Sequence, residues 1–403
     1  MTIWFIVFKS LKQHAFSTIV TALSVALAGG LLMSVWSIKE QSEATFTNVN
    51  AGFDAVLGAR GSKLQLVLNA IFNLESSPGN LEWSDFLDIQ KNPDVELAVP
   101  IAVGDNYRGY RIVGTTLDLF EETEYAPGKK FALQPGGNWF DPLRREAVVG
   151  DFVARKMKLK VGDTFHPFHG LIFDEKNQHS ETYVVVGILK PSNTPADQVI
   201  WIPLEGIQKM SGHDPKMATE VSAVLVKLKA DSALAGFQMD QMYNRQGNRL
   251  TFAWPIATIM AELFDKIGWF DRVLAMVSYL VAIVASASIL ASIYNSMNER
   301  RREIAILRAL GARRITIFTS ILIEAASISA LGMLIGFAVY VAIFSIAASI
   351  IREQTGVVLD PLKFNAIMLW APAMLIVLGA LAGIIPAIKA YRTDVAQNLA
   401  PTS

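Results

Sequence analysis

NERRREIAILRALGARR, residues 298–314, lies between two long apolar runs and holds six arginines among its seventeen residues. That charge fixes the side of a membrane on which it can sit. Its pattern also says more than charge. Glu299 and Glu303 stand early and Arg308 late, the order the helix dipole favours. Glu299 reaches Arg302 at i,i+3, while Ile304, Leu307 and Leu310 recur along one side. Gly311 tolerates the left-handed backbone of a helix C-cap. The spacing predicts a short amphipathic helix that turns sharply into the next apolar run and offers a protein partner a docking ridge.

Outward from this segment the chain is oily. Gln13–Ile38 holds only His14 as a titratable group, Val273–Asn298 and Phe364–Ile388 hold no charge, and Ile315–Ile351 holds only Glu324. About 20 apolar residues cross the hydrocarbon layer, so four spans are expected, at 16–38, 272–295, 316–349 (with a helical extension) and 365–388. Lys9, Lys12, the six arginines of 296–315, Lys389 and Arg392 then share one side. The positive-inside rule makes that side cytoplasmic. Residues 1–15 read as a cytoplasmic interfacial segment, with Trp4, Phe5, Phe8 and Leu11 along one side of a short helix. Residues 296–315 read as a cytoplasmic coupling segment and 389–403 as a cytoplasmic tail, leaving 40–265 and the 350–364 connection outside. ALA at 26–28 resembles a signal-peptidase site, but the apolar run continues past it and the upstream MTIWFIVFKSLK is itself apolar, so the first run is read as a retained helix.

Composition agrees. Of 403 residues 52% are hydrophobic and 18% charged, too apolar for an ordinary soluble protein. Zero net charge argues against general nucleic-acid affinity. No cysteine is present, which excludes disulfides and thiolate metal sites.

The outer 40–265 region has room for one or two lobes. ELAVPIAVG, YRIVGTT, EAVVG, ETYVVVGIL, DQVIWIPL and SAVLVKLKA read as strands. Stretches 62–74, 82–91, 150–158 and 231–242 read as helices, giving an α+β domain. IATIMAELFDKIGWFDR (256–272) reads as a helix carrying load from this domain into the second span, with Trp269 and Phe270 at the outer interface. His166 and His169 in HPFHG, with His179 and Glu181 further on, offer ligands a transition metal accepts. The spacing lacks the HExxH form, and the residues read first as a polar hairpin whose histidines hydrogen-bond or face water, so no metal site is assigned and His166, His169 and His179 stay a weaker metal-binding alternative. No nucleophile–base set marks an enzyme.

Within the spans, Gly332 and Gly336, and Gly379 and Gly383, form two GxxxG motifs that serve close helix approach, within the chain or across a dimer. Glu324 needs a polar partner or water there. One acid without a second does not make a proton relay.

MNERRREIAILRALGARRITIF resembles the cytoplasmic coupling segment of FtsX/MacB/LolC-type ABC transporter permeases, the type VII or mechanotransmission class. EAVVGDFVARKMKLKVGDTF and YVVVGILKPSNTPADQVIWIPLE resemble that family's outer-domain patterns, and GIIPAIKAYRTDVAQNLAP its exit from the fourth span. The resemblance spans essentially the whole chain. It implies an α-helical membrane protein of four transmembrane helices, with a large extracytoplasmic α+β domain between the first and second, in the bacterial inner membrane. It implies pairing with a second permease copy or a related permease, and a cytoplasmic ABC ATPase subunit that holds ATP and Mg2+. A periplasmic adaptor or envelope protein and membrane lipids are further implied partners. The matching coupling positions are Glu299, Arg302, Glu303, Ile304, Leu307, Arg308, Leu310 and Gly311. The expected function is ATP-driven export or mechanical work on an envelope substrate. The alternative is a scaffold that regulates an extracytoplasmic enzyme without moving cargo. A phosphate loop needs GxxxxGK[ST], and neither GARGSK (58–63) nor GKK (128–130) has that frame, so no cofactor is expected on this chain and the ATPase is expected in a separate one.

Overall fold

The computed structural model describes residues 3–48, 51–230, 233–299 and 301–391. Helices α1 (Ile3–Gln13) and α2 (Ala15–Asn48) lead to β1 (Ala55–Ala59), α3 (Lys63–Ala70), β2 (Leu81–Glu82), α4 (Trp83–Gln90), β3 (Val95–Tyr107) and β4 (Tyr110–Thr115). Next come α5 (Asp118–Glu121), β5 (Glu124–Ala126), β6 (Lys129–Lys130), β7 (Glu146–Val149), α6 (Asp151–Met157), β8 (Thr164–Phe165) and β9 (Phe168–His169). They are followed by β10 (Tyr183–Ile188), β11 (Ile200–Pro203), α7 (Leu204–Gln208), β12 (Glu220–Val221), β13 (Ala223–Leu228), α8 (Ala233–Gln241) and β14 (Leu250–Ala253). The chain closes with α9 (Ile256–Glu299), α10 (Arg301–Ala309), α11 (Arg314–Thr355), α12 (Ile367–Ala382) and α13 (Ile384–Tyr391). These form two compact units. One holds residues up to Gln41, Ile267–Ala348 and everything from Leu359; the other holds Ser42–Lys266 and Ser349–Val358.

Among the described residues four helical stretches are long and apolar enough to cross a membrane: Ala15–Thr47, Ile256–Met297, Arg314–Thr355 and Ile367–Tyr391. Lipid gives apolar side chains no reason to cluster, so small residues must bring the backbones together. A Cβ on Gly332 would sit 2.7 Å from the Val25 Cβ and 2.8 Å from the Ala22 carbonyl, and one on Gly336 would lie 3.3 Å from the Ala26 carbonyl. The GxxxG of α11 therefore seats α2. The second motif seats α11: Gly379 faces Ser329, and a Cβ on Gly383 would lie 2.8 Å from that of Ala325. Both motifs thus pack helices within one chain. Glu324 is buried on α11 and accepts a hydrogen bond from the Ser10 hydroxyl of α1, which supplies the polar partner its position demands.

The second unit is built on one mixed sheet rather than two lobes. Its strand order is β14-β1-β13-β3-β4-β11-β7-β10-β8, with β9 on β3. The β4–β11 and β7–β10 pairs are parallel and the other pairs of this sheet antiparallel. Alternating apolar residues feed a core on each face. Leu57, Ile112, Val185, Ile202 and Val224 are buried in one; Val56, Val99, Val113, Val148 and Leu225 are buried in the other. The six strands read from apolar runs are present. The outer strands β1 and β14 escaped that reading, being short and, in AVLGA and LTFA, without a clear period.

Two expectations need adjustment. Residues 71–74 leave the helix expected over 62–74, because α3 ends at Ala70. The 350–364 connection is helical through Thr355: the Gln198 amide donates to the Arg352 carbonyl at 2.6 Å, and Lys156 pairs with Glu353 at 2.6 Å, both within the second unit. Residues 231–232 of the expected 231–242 helix and 392–403 of the expected tail lie outside the described residues.

Candidate functional site

The basic segment folds as α10, one residue after α9, and ends in a complete Schellman turn. The Ala312 amide donates to the Leu307 carbonyl at 3.0 Å and the Gly311 amide to the Arg308 carbonyl at 3.0 Å, with Gly311 at φ 98°. A left-handed residue there ends the helix and satisfies its last carbonyls. It costs a residue bearing a Cβ about 1–2 kcal/mol. The chain then starts α11 at Arg314.

The two sides of α10 differ from the sequence expectation. Ile304 and Ala305 are buried, and Ile304 and Leu307 line a small internal space with Ile6, Met297, Ile321 and Glu324. Ile304 therefore packs against this chain's own helices, where the sequence placed it on the ridge offered to a partner. The outward side instead carries Arg302, Glu303, Ile306 and Leu310, with Ile306 44% and Leu310 81% exposed. Ile306 was missed because apolar residues on both sides of a short helix blur its periodicity. Arg308 is half-buried. The side chain of Glu299 lies outside the described residues.

Helix α1 completes the surface. Its Phe5, Ile6, Lys9 and Gln13 line a cleft of about 320 Å³ with Glu303 and Ile306 of α10, and the Gln13 amide reaches the Glu303 carboxylate at 3.5 Å. Trp4, Phe5 and Phe8 are exposed along α1. A cleft of apolar walls rimmed by one lysine and one glutamate suits an insertion by another protein better than a small charged ligand.

The outer unit brings other residues together. His169 and His179 meet His213 and Asp105, whereas His166 points elsewhere, its Nδ1 lying 3.0 Å from the Glu181 carbonyl. The suggested trio is therefore corrected: His166 leaves, and Asp105 and His213 enter from segments too distant in sequence to be seen by spacing. Glu181 accepts hydrogen bonds from the Ser211 amide at 2.9 Å and hydroxyl at 2.8 Å, and so shapes the turn beside the cluster. The hydrogen bond between the His213 ring and the Asp105 carboxylate holds His213 above the ordinary imidazole range, against the desolvation that lowers it. Elsewhere in this unit a cleft of about 510 Å³ is walled by Trp83, Leu117, Phe140, Leu204, Gln208 and Lys209, among others.

Comparison with known proteins agrees with the architecture. Residues 18–240 match the MacB-like periplasmic core domain, and residues 275–395, which contain α10, match the FtsX-like permease C-terminal family. The chain is 24% identical to the macrolide export ATP-binding/permease protein MacB of Brucella melitensis, over 95% of this chain and 58% of that protein. It is 24% identical to the MacB of Bordetella avium over 73% of this chain and 44% of that one. It is 22% identical to the pyoverdine export ATP-binding/permease protein PvdT of Pseudomonas syringae, over 94% and 56%. The chain thus spans about half the length of the curated relatives it matches. Four membrane-crossing helices, a large periplasmic α+β domain between the first and second, and these two family matches make this chain a multi-pass inner-membrane member of the FtsX/MacB-like ABC transporter permease family.

Proposed function

We propose that this chain is the membrane subunit of an ABC assembly in which a separate cytoplasmic ATPase docks on the α1–α10 face and drives movement of the periplasmic domain. The observation that carries this reading is the outward face of α10, where Ile306 and Leu310 stand exposed among charges on a helix closed by a rigid turn. Exposed ion pairs are worth about 0–1 kcal/mol each. Full desolvation of a large aliphatic side chain is worth about 1.5–3 kcal/mol, so the apolar pair would dominate docking. Arg302 and Glu303 would set register, and Gly311 would fix the angle at which force enters α11.

Helix α9 supports the mechanical part. It runs without interruption from Ile256 to Glu299, and a continuous helix transmits displacement where a loop would absorb it. Its Ile256 and Met260 are buried in the periplasmic core. The work done is export of, or mechanical action on, an envelope substrate; the relatives' names give macrolide export and pyoverdine export for those proteins. Pairing with a second permease copy or a related permease follows the same reading.

Purification of the full chain from its native membrane in mild detergent tests the proposal. A nucleotide-hydrolysing subunit is expected to co-purify, with ATPase activity that Leu310→Asp abolishes while the permease stays folded. Recovery of the folded chain without any such subunit would overturn the reading.

A further inference from the structure

Four donor atoms from separated parts of the periplasmic domain converge beside β3. One each from Asp105, His169, His179 and His213, they all lie within 4.8 Å of one another. A bulge between Val103 and Asp105 in the β3–β4 ladder pairs Asp105 with Ile112, a residue of the first core. That places the carboxylate, fully buried, on the same face. Strand β9 brings His169 directly opposite Asp105.

The hydrogen-bond pattern around these residues is short of positive charge. The Nδ1 atoms of His179 and His213 lie 2.8 Å from the Ser211 carbonyl and 2.9 Å from the Ile207 carbonyl. A carbonyl only accepts, so both Nδ1 atoms carry hydrogen, and in the neutral rings both Nε2 atoms present lone pairs. These lone pairs face Asp105 Oδ1 at 3.2 and 3.1 Å, and His169 Nδ1 lies 3.5 Å from the same oxygen. Lone pairs and a carboxylate oxygen held this close repel one another unless a cation stands among them. A proton on His213 alone relieves one of these contacts and leaves the His179 lone pair on the same carboxylate oxygen; protonating both rings would put two cations beside one carboxylate where His179, His213 and Asp105 are almost wholly buried, an arrangement that desolvation penalises. One divalent ion satisfies the carboxylate and the ring lone pairs together with the rings neutral, at a net charge of +1. Asp105 Oδ2 is also buried with no hydrogen-bond partner among the described residues.

We propose that Asp105, His169, His179 and His213 form a tetrahedral site for a divalent transition metal of the zinc class. Zinc–nitrogen and zinc–oxygen bonds of about 2.0–2.2 Å imply ligand–ligand edges of roughly 3.3–3.5 Å in a tetrahedron. The three edges from Asp105, at 3.1, 3.2 and 3.5 Å, already fall close to that. The carbonyls on both Nδ1 atoms are the outer-shell partners that fix metal-binding tautomers, and Glu181 holds the Ser211 turn that supplies one of them. With all four positions filled by protein, the site is structural or regulatory and leaves no water to activate. The His169 side chain is 54% exposed, which gives the ion a path from the periplasm. Bound metal would tie β3 and β9 to the segments carrying His179 and His213, and so stiffen this end of the domain. This inference does not rest on the ATPase partnership.

The test uses the full chain in detergent, stripped with chelator and offered ZnCl2 alone, with retained metal measured by mass spectrometry after gel filtration. About one zinc per chain is expected, with Co2+ in its place giving the visible absorption of a tetrahedral site. Asp105→Asn and the His179→Ala/His213→Ala pair should lose the ion, His166→Ala should keep it, and Glu181→Gln should weaken binding by about tenfold. Zinc should also raise the unfolding temperature of the wild type and leave that of Asp105→Asn unmoved. Failure of the wild type to retain zinc, or retention equal to wild type in the folded Asp105→Asn protein, would overturn the proposal.

Discussion

Ser10 on α1 donates its hydroxyl hydrogen bond to the Glu324 carboxylate on α11, 314 residues away in sequence, so the first helix is tied through a buried acid to the helix that follows the coupling segment. Ser10→Ala leaves that acid short of a donor, which should cost about 1–3 kcal/mol and lower the unfolding temperature in detergent. Glu324→Gln keeps an acceptor oxygen and should retain both stability and coupling. Loss of transport in Glu324→Gln with stability intact would instead give Glu324 a proton-handling role.

Ile304 and Leu310, six residues apart on the coupling segment, should fail in different ways. Ile304 is 6% exposed and Leu310 81%. Ile304→Asp buries a charge against the chain's own helices and should reduce the yield of folded protein. Leu310→Asp should leave folding unchanged and lower ATPase co-purification. Thermal unfolding and pulldown measured on the same two preparations separate the outcomes.

The α2–α11 contact should tolerate no side chain at Gly332, where a Cβ would lie 2.8 Å from a backbone carbonyl. Gly332→Leu should destabilise the membrane unit by at least the 1–3 kcal/mol typical of overpacking. The effect should be the same in dilute and concentrated detergent samples, because the contact is within one chain. Gly268→Ala, which adds a methyl where nothing lies within 4 Å, serves as the control.

Asp197 organises the turn before β11: its carboxylate accepts from the Ser192 amide at 3.0 Å, the Ser192 hydroxyl at 2.7 Å and the Asn193 amide at 2.8 Å. Asp197→Ala should destabilise the periplasmic domain by about 1–3 kcal/mol. Burial nevertheless outweighs these bonds and raises the Asp197 pKa above the usual carboxylate range. A raised folded-state pKa means that its contribution is fully present below the unfolded pKa and is lost as pH rises through the folded one. Wild type should therefore gain on Asp197→Asn as pH falls through the carboxylate range, measured by thermal unfolding across pH.

The membrane plan was legible because about 20 uncharged residues in a row admit few other structures, and the arginines of 300–314 set its orientation. Gly311 was legible because its role is local: the Schellman turn closes within six residues. The family motifs around VGD and TPAD also resolve into local turn chemistry. Asp163 accepts from the Lys160 amide at 2.8 Å, and Asp197 holds its turn as described. What stayed hidden depends on contacts distant in sequence. Which side of α10 faces inward is decided by Ile6, Met297 and Ile321, and the ridge read from Ile304 and Leu307 could as well have faced a partner. The histidine cluster depends on a bulge in β3 and on a turn after α7, so spacing favoured His166 over His213.

The most direct test of the central claim uses the absence of native cysteine. Leu310→Cys in the full chain, treated in native membranes with a short thiol-to-amine cross-linker, should join the permease to a nucleotide-hydrolysing subunit, and the yield should change when ATP is added. Labelling of the introduced thiol by a membrane-impermeant reagent from the periplasmic side, or cross-linking to no such subunit in membranes that hold the assembled complex, would contradict the account.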